Sequence, residues 1–205
     1  MIELRQALAE ISAIRTQVAR DTQFRGYGPR SIAASGALAF VVASWQTVLM
    51  GGTERALRGY LAVWISTAAI AVALSAWEMV ARSRRVHSGF AREMIHAAVE
   101  QFMPSVVIGI LLTAVLVSAA PQQLWMLPGL WQLLFSLGIF ASCRFLPRPM
   151  FAVGLWYLTA GLVCLMLASA AGTVSPWYMG VPFGIGQLLV AAVLRYGYED
   201  YVEVR

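Results

Sequence analysis

The chain has 205 residues, 60% of them hydrophobic and only 12% charged, which lies well outside the balance of water-soluble domains. Its net charge of +5 comes from 15 arginines and no lysine. In a chain this apolar, a basic excess points first to membrane topology and anionic lipid, so direct nucleic-acid binding is not expected. An all-arginine inventory is also what a GC-rich genome produces.

Two tracts, 101–143 and 149–194, contain no charged side chain. A bilayer crossing needs roughly 20 apolar residues, so each tract is long enough for two spans joined by an uncharged hairpin. Helices on a soluble core show water a polar face, and these tracts have none. Six spans would occupy roughly 120–140 residues and leave no room for a separate soluble domain. The expected fold is therefore all-α, a polytopic six-transmembrane-helix bundle forming a single integral membrane domain over 1–205.

Residues 1–25 form the expected cytoplasmic segment. Within it, 2–20 read as an amphipathic helix: Leu4, Ala7, Ile11, Ile14 and Val18 recur at a/d spacing and Leu8 widens the stripe. Glu3, Arg5, Glu10, Arg15 and Arg20 face away. A stripe of under three heptads is too short for a coiled coil, which leaves an interfacial helix or one packed on the bundle. Glu3, Glu10, Asp21 and five arginines in the first 30 residues exclude a cleavable signal peptide, so the first span should serve as the insertion signal. The helix breaks at Arg25-Gly26-Tyr27-Gly28-Pro29.

The six spans are placed at 31–50, 59–80, 104–120, 124–143, 151–171 and 178–196, within the region 31–196, followed by a cytoplasmic tail at 197–205. Ala120-Pro121-Gln122-Gln123 and Gly172-Thr173-Val174-Ser175-Pro176 are tight, uncharged connections. Between spans two and three, by contrast, crowd Arg82, Arg84, Arg85, His87, Arg92 and His96, and Arg144 and Arg148 follow span four. The positive-inside rule puts these loops and both termini in the cytoplasm, with Arg55 and Arg58 as a smaller opposing group. A multi-pass protein of a bacterial cytoplasmic membrane is expected.

Spans four and six echo one another. Each enters with an interfacial Trp, softens at Pro/Gly, carries Gln-Leu-Leu and ends with Arg: Trp125, Pro128, Gln132 and Arg144 in one, Trp177, Pro182, Gln187 and Arg195 in the other. Duplicated hairpins would produce this, and so would generic membrane preferences.

Glu78 is the one acid inside an apolar span, and an intramembrane carboxylate is a functional candidate by default. It lies within a turn of the span's end with Arg82 at i+4, and Arg144 and Arg195 end spans at the same depth. An intramembrane ion pair of Glu78 with Arg82, Arg144 or Arg195 is the structural reading; a proton relay is the functional one. Glu93-x-x-His96 with Glu100 places three ligand-type side chains on one helical face, but no further ligands complete a metal site. Cys143 and Cys164 form no Cys-x-x-Cys pair and read as small apolar residues. Neither a metal nor any other cofactor is expected, and no nucleophile elbow, P-loop or dinucleotide fingerprint marks an enzyme.

Ser44, Gln46, Ser66, Thr67, Thr113, Gln132, Ser136 and Gln187 are expected to hydrogen-bond between helices. Around Pro128-Gly129 and 180–186, backbone freed by Pro and Gly must line a cavity or find other partners. One reading is an apolar ligand pocket open to the outer leaflet, built from Trp125, Pro128, Trp131, Trp177, Tyr178, Pro182 and Phe183. The other is close packing, with Gly180 and Gly184 as a small-xxx-small contact beneath an aromatic belt.

Two stretches carry a family resemblance. They are Arg20-Asp21-Thr22-Gln23-Phe24-Arg25-Gly26-Tyr27-Gly28-Pro29 and the run 127–147, which opens Leu127-Pro128-Gly129-Leu130-Trp131 and closes Cys143-Arg144-Phe145-Leu146-Pro147. Through them the chain resembles an uncharacterised family of small bacterial six-span membrane proteins, often encoded beside a winged-helix DNA-binding regulator. The resemblance implies a cytoplasmic regulatory protein as partner and assigns no catalytic residue. The expectation is a non-enzymatic protein that senses or binds a small apolar molecule or lipid, with membrane lipids as further partners. The alternative is a homo-oligomeric channel or exporter for a lipophilic or neutral solute.

Overall fold

The computed structural model describes residues 29–49, 54–83 and 89–199. The amphipathic segment 2–20 and the tail from 200 onward lie outside them. The described residues form α1 (Pro29–Leu49), α2 (Glu54–Ser83), α3 (Gly89–Ala119), a 3-10 turn (Pro121–Met126), α4 (Leu127–Ser142), α5 (Met150–Ala171) and α6 (Trp177–Glu199). All six helices are long and apolar enough to cross a membrane. Their outward side chains are as apolar as their core: Val48, Trp77 and Met166 are 84%, 78% and 72% exposed. Water would penalise that surface, whereas hydrocarbon is its natural solvent. The protein is a multi-pass, all-α membrane bundle.

Local sequence explains the punctuation. Pro121 starts the 3-10 turn after α3, at a position where a missing N–H costs nothing. α5 ends at Gly172, whose left-handed φ of 61° suits a residue without Cβ, and its N–H closes on the Ala168 carbonyl at 3.0 Å. Leu146 precedes Pro147 and is driven to an extended conformation (φ −113°, ψ 159°), which separates α4 from α5. α3 runs through Pro104 as one 31-residue helix, so the apolar span, Ala97–Ala119, starts earlier than position 104.

Two helix pairs make the most extensive contacts, α1 with α6 and α4 with α5. Small residues let both come close. A Cβ on Gly129 would meet the Gly161 carbonyl oxygen at 2.9 Å, and one on Gly161 would meet the Gly129 carbonyl oxygen at 3.0 Å. In the other pair Gly180 lies on Ala43, and Gly184 on the Phe40 ring. Between lipid-solvated helices, where the hydrophobic effect offers little, such close approach is the main source of association.

The pairs are joined by side chains that service the α6 proline. Pro182 has no N–H to offer the Tyr178 carbonyl one turn earlier. Gln132, fully buried on α4, donates its Nε2–H to that oxygen at 2.7 Å. Trp156 Nε1–H of α5 donates to the Pro182 carbonyl at 3.0 Å. Below them Phe135, Tyr157 and Phe183 form an aromatic triangle with centroids 4.7–5.5 Å apart.

The outer helices are held more lightly. α3 seats Phe102 against Gly138 and accepts a hydrogen bond from Ser142 Oγ at the Ala98 carbonyl, 3.0 Å. α2 buries Tyr60, Leu61 and Trp64 in the core formed with Ala39, Ala43, Leu127 and Met179. Only 6% of the α3 span and 17% of the α2 span is buried, against 28% to 44% of the other four.

Candidate functional site

Because α2 leans on α1 and α3 on α4, the two outer helices do not close on each other, and a cleft of about 380 Å³ opens between them. α2 contributes Trp64, Ile65, Ala68 and Val72; α3 contributes the row from Phe102 through Ser105, Val106, Gly109 and Ile110 to Thr113. Trp131, Leu134 and Phe135 of α4, with Met179 and Phe183 of α6, form the floor. Ile65, Val72 and Ile110 are 48%, 68% and 63% exposed, so the rim faces the lipid side of the bundle.

Of the polar side chains in the wall, Thr113 and Trp131 are paired with each other. Thr113 Oγ1 donates to the Gly109 carbonyl at 2.7 Å and accepts the Trp131 indole N–H at 2.9 Å. That bond pins the Trp131 ring across the floor. Trp64 Nε1 is buried with no hydrogen-bond partner, and so is Gln46 Oε1 on α1. Both groups lie near Tyr60: Gln46 Nε2 donates to the Tyr60 carbonyl at 3.4 Å, and the Tyr60 and Trp64 rings are 6.3 Å apart.

Of the seven residues proposed for a ligand pocket, the structure brings two, Trp131 and Phe183, into this cleft. Pro128 is buried at the start of α4, and Pro182 is buried with its carbonyl taken by Trp156. Tyr178 lends its carbonyl to Gln132; Trp125 is half-buried in the 3-10 turn; Trp177 is 39% exposed at the start of α6. Gly180 and Gly184 pack against α1. The backbone freed by the Pro/Gly cluster is satisfied by neighbouring helices, as a lipid environment demands.

Most of the cleft escaped sequence reasoning. Trp64 and Phe102 sit in spans where every face is apolar, and no periodicity separates a lipid-facing aromatic from a cleft-facing one. The usable signal was Gly109, a gap in an otherwise bulky run.

Glu78, Arg144 and Arg195 lie at the C-terminal ends of the second, fourth and sixth spans. Glu78 is half-buried, and it and Arg195 each have an interaction partner. Arg144 is exposed, its guanidinium 4.7 Å above the Phe145 ring. The Arg82 side chain lies outside the described residues, as do those of Glu93 and His96. Among the described residues no three His, Cys, Asp or Glu gather as a metal site would need.

At least four of the eight polar span residues bond between helices. Gln46 and Gln132 behave so, Thr113 accepts from Trp131, and Ser136 Oγ donates to the Gly154 carbonyl at 2.9 Å. Ser44, Ser66 and Thr67 instead donate to the carbonyl one turn back in their own helix. No family model, curated protein or solved structure matches this chain.

Proposed function

We propose that the protein is a non-enzymatic membrane receptor: it binds a small apolar molecule or lipid in the cleft between α2 and α3 and relays occupancy to a cytoplasmic partner. The observation that carries this reading is the cleft. At about 380 Å³ it falls within the roughly 300–1,000 Å³ of small-molecule sites. Four helices build it, aromatic rings line it, and its rim opens where a bilayer-dissolved ligand would arrive. The lightly held helices on either side are the ones an occupant would move, because few packing contacts resist their displacement.

The arginine asymmetry supports placement in a bacterial cytoplasmic membrane with both termini inside. The amphipathic stripe at 2–20 then provides the surface for a partner, and the family resemblance favours a regulatory protein. A second reading, a homo-oligomeric channel or exporter for a lipophilic or neutral solute, draws on the same outer helices. Their wide apolar faces would enclose a path only if a second copy covered them.

Reconstituted protein separates the two. The receptor reading expects saturable binding of an apolar fluorescent probe in nanodiscs, no solute flux in proteoliposomes, and a cytoplasmic protein recovered with the native chain but lost when Leu8 and Ile11 become Ser. Probe flux that scales with protein content would establish transport instead.

A further inference from the structure

We infer that Ser105 is the cleft's polar contact: its hydroxyl donates to a neutral acceptor oxygen, a ketone or ester carbonyl, on an otherwise apolar ligand. This rests on reading the cleft as a ligand site. The observation behind it is a buried hydroxyl without a partner, where the other buried polar side chains each reach a neighbouring helix.

Among the described residues, five polar side chains are at least nine-tenths buried: Gln46, Ser105, Gln132, Ser136 and Ser142. Four of them donate to a backbone carbonyl of another helix, at Tyr60, Tyr178, Gly154 and Ala98 respectively. The exposed hydroxyls of Ser44, Ser66 and Ser118 donate instead to the carbonyl one turn back in their own helices. Ser105 does neither. Its residue is only 6% exposed, its Oγ has no hydrogen-bond partner among the described residues, and it lines the cleft. Trp64 Nε1, the other unpartnered donor in the wall, is sealed beneath the surface.

Local sequence explains why the hydroxyl stays open. A helical side chain leans toward the N-terminus and covers the turn before its own Cα, so position 109 is the one that would cover Ser105. Gly109 has nothing to cover it with. A Cβ added there would meet Leu134 alone, at 3.5 Å, so no neighbouring helix fills the gap either.

Ser105 stands eight residues into the span Ala97–Ala119 (105 − 97), ~12 Å from that end. Hydrocarbon offers no acceptor there, and an empty cleft leaves the hydroxyl only its own helix to turn to. An oxygen carried in by a ligand is equally stripped of water and needs a protein donor. Each group supplies what the other lacks, in surroundings where water competes little for the bond.

Fluorenone and fluorene test this, because they share one tricyclic skeleton and differ by a carbonyl. Binding of each to the full chain in phospholipid nanodiscs is measured and corrected for uptake by empty nanodiscs. Fluorenone is expected to bind roughly fivefold more tightly after that correction. The infrared carbonyl band of isotope-labelled fluorenone should shift to lower frequency when bound. Ser105→Ala should remove both the excess and the shift while fluorene binding persists, which also shows that the variant is folded. Ser105→Thr, which keeps the hydroxyl, should retain both. Gly109→Leu, which covers the hydroxyl and fills the space beside it, should abolish saturable binding of the two probes.

Equal binding of fluorenone and fluorene, or a carbonyl shift that survives Ser105→Ala, overturns the role of Ser105; loss of both probes in Gly109→Leu would then still keep the cleft as a ligand site. Uptake of both probes no greater than by empty nanodiscs, and unchanged in Gly109→Leu, removes the ligand site itself. The receptor reading falls with it.

Discussion

The Gln132–Tyr178 contact gives the packing account its sharpest prediction, because its cause is a single missing N–H. Pro182 leaves the Tyr178 carbonyl without its helical donor, and Gln132 Nε2 replaces that donor at 2.7 Å from a side chain that is fully buried. Gln132→Leu keeps the volume and removes the donor. An orphaned buried carbonyl costs about 1–3 kcal/mol. The same change also removes Gln132 Oε1, which itself has no partner, so the net loss should be about 1 kcal/mol. Pro182→Ala restores an N–H aimed at the same oxygen. In that background Gln132→Leu should cost little or even stabilise, giving a coupling of about 1 kcal/mol in the double-mutant cycle. Reversible unfolding in mixed micelles titrated with dodecyl sulfate, followed by the helical circular-dichroism signal, measures all four corners. Equal costs of Gln132→Leu in both backgrounds, within ~0.3 kcal/mol, would refute the donor-replacement argument.

Gly161→Leu should separate α4 from α5, since even a Cβ there would meet the Gly129 carbonyl at 3.0 Å; a loss of about 1–3 kcal/mol is expected in the same titration, whereas Gly59→Ala, with open space around it, should change little. Cysteines placed at Pro121 and Ser175, with Cys143 and Cys164 replaced by Ala, should both react with a membrane-impermeant maleimide in intact cells; reaction only after permeabilisation would invert the proposed topology. Glu78→Gln should lower thermal stability in detergent yet leave apolar-probe binding intact. Loss of binding at unchanged stability would make that carboxylate functional.

How far the sequence reaches depends on which signal each feature leaves. Chain crossings are legible because hydrocarbon thickness imposes a length on apolar runs: the expected spans 151–171 and 178–196 match α5 (Met150–Ala171) and α6 (Trp177–Glu199) to within three residues. Close helix contact is legible through small residues, as Gly180 and Gly184 show. Partner choice is not. In lipid the buried and exposed faces are equally apolar, so nothing in the string says that α1 packs on α6 or that α2 and α3 stay apart. The cleft arises from that separation and has no motif. Trp131 and Phe183 were found because they neighbour Pro and Gly; Trp64 and Phe102, which do as much of the lining, have no such flag. Ser44 and Thr67 illustrate the converse, since hydroxyls that could cross-link helices are satisfied by their own backbones.

Whether the cleft between α2 and α3 holds an apolar ligand can be read by native mass spectrometry of the protein ejected from its own membrane vesicles. A discrete small-molecule or lipid adduct is expected to persist on the native protein and to be missing from two variants that fill the cleft, Ala68→Phe from α2 and Gly109→Leu from α3. An adduct pattern identical across the three proteins would contradict it.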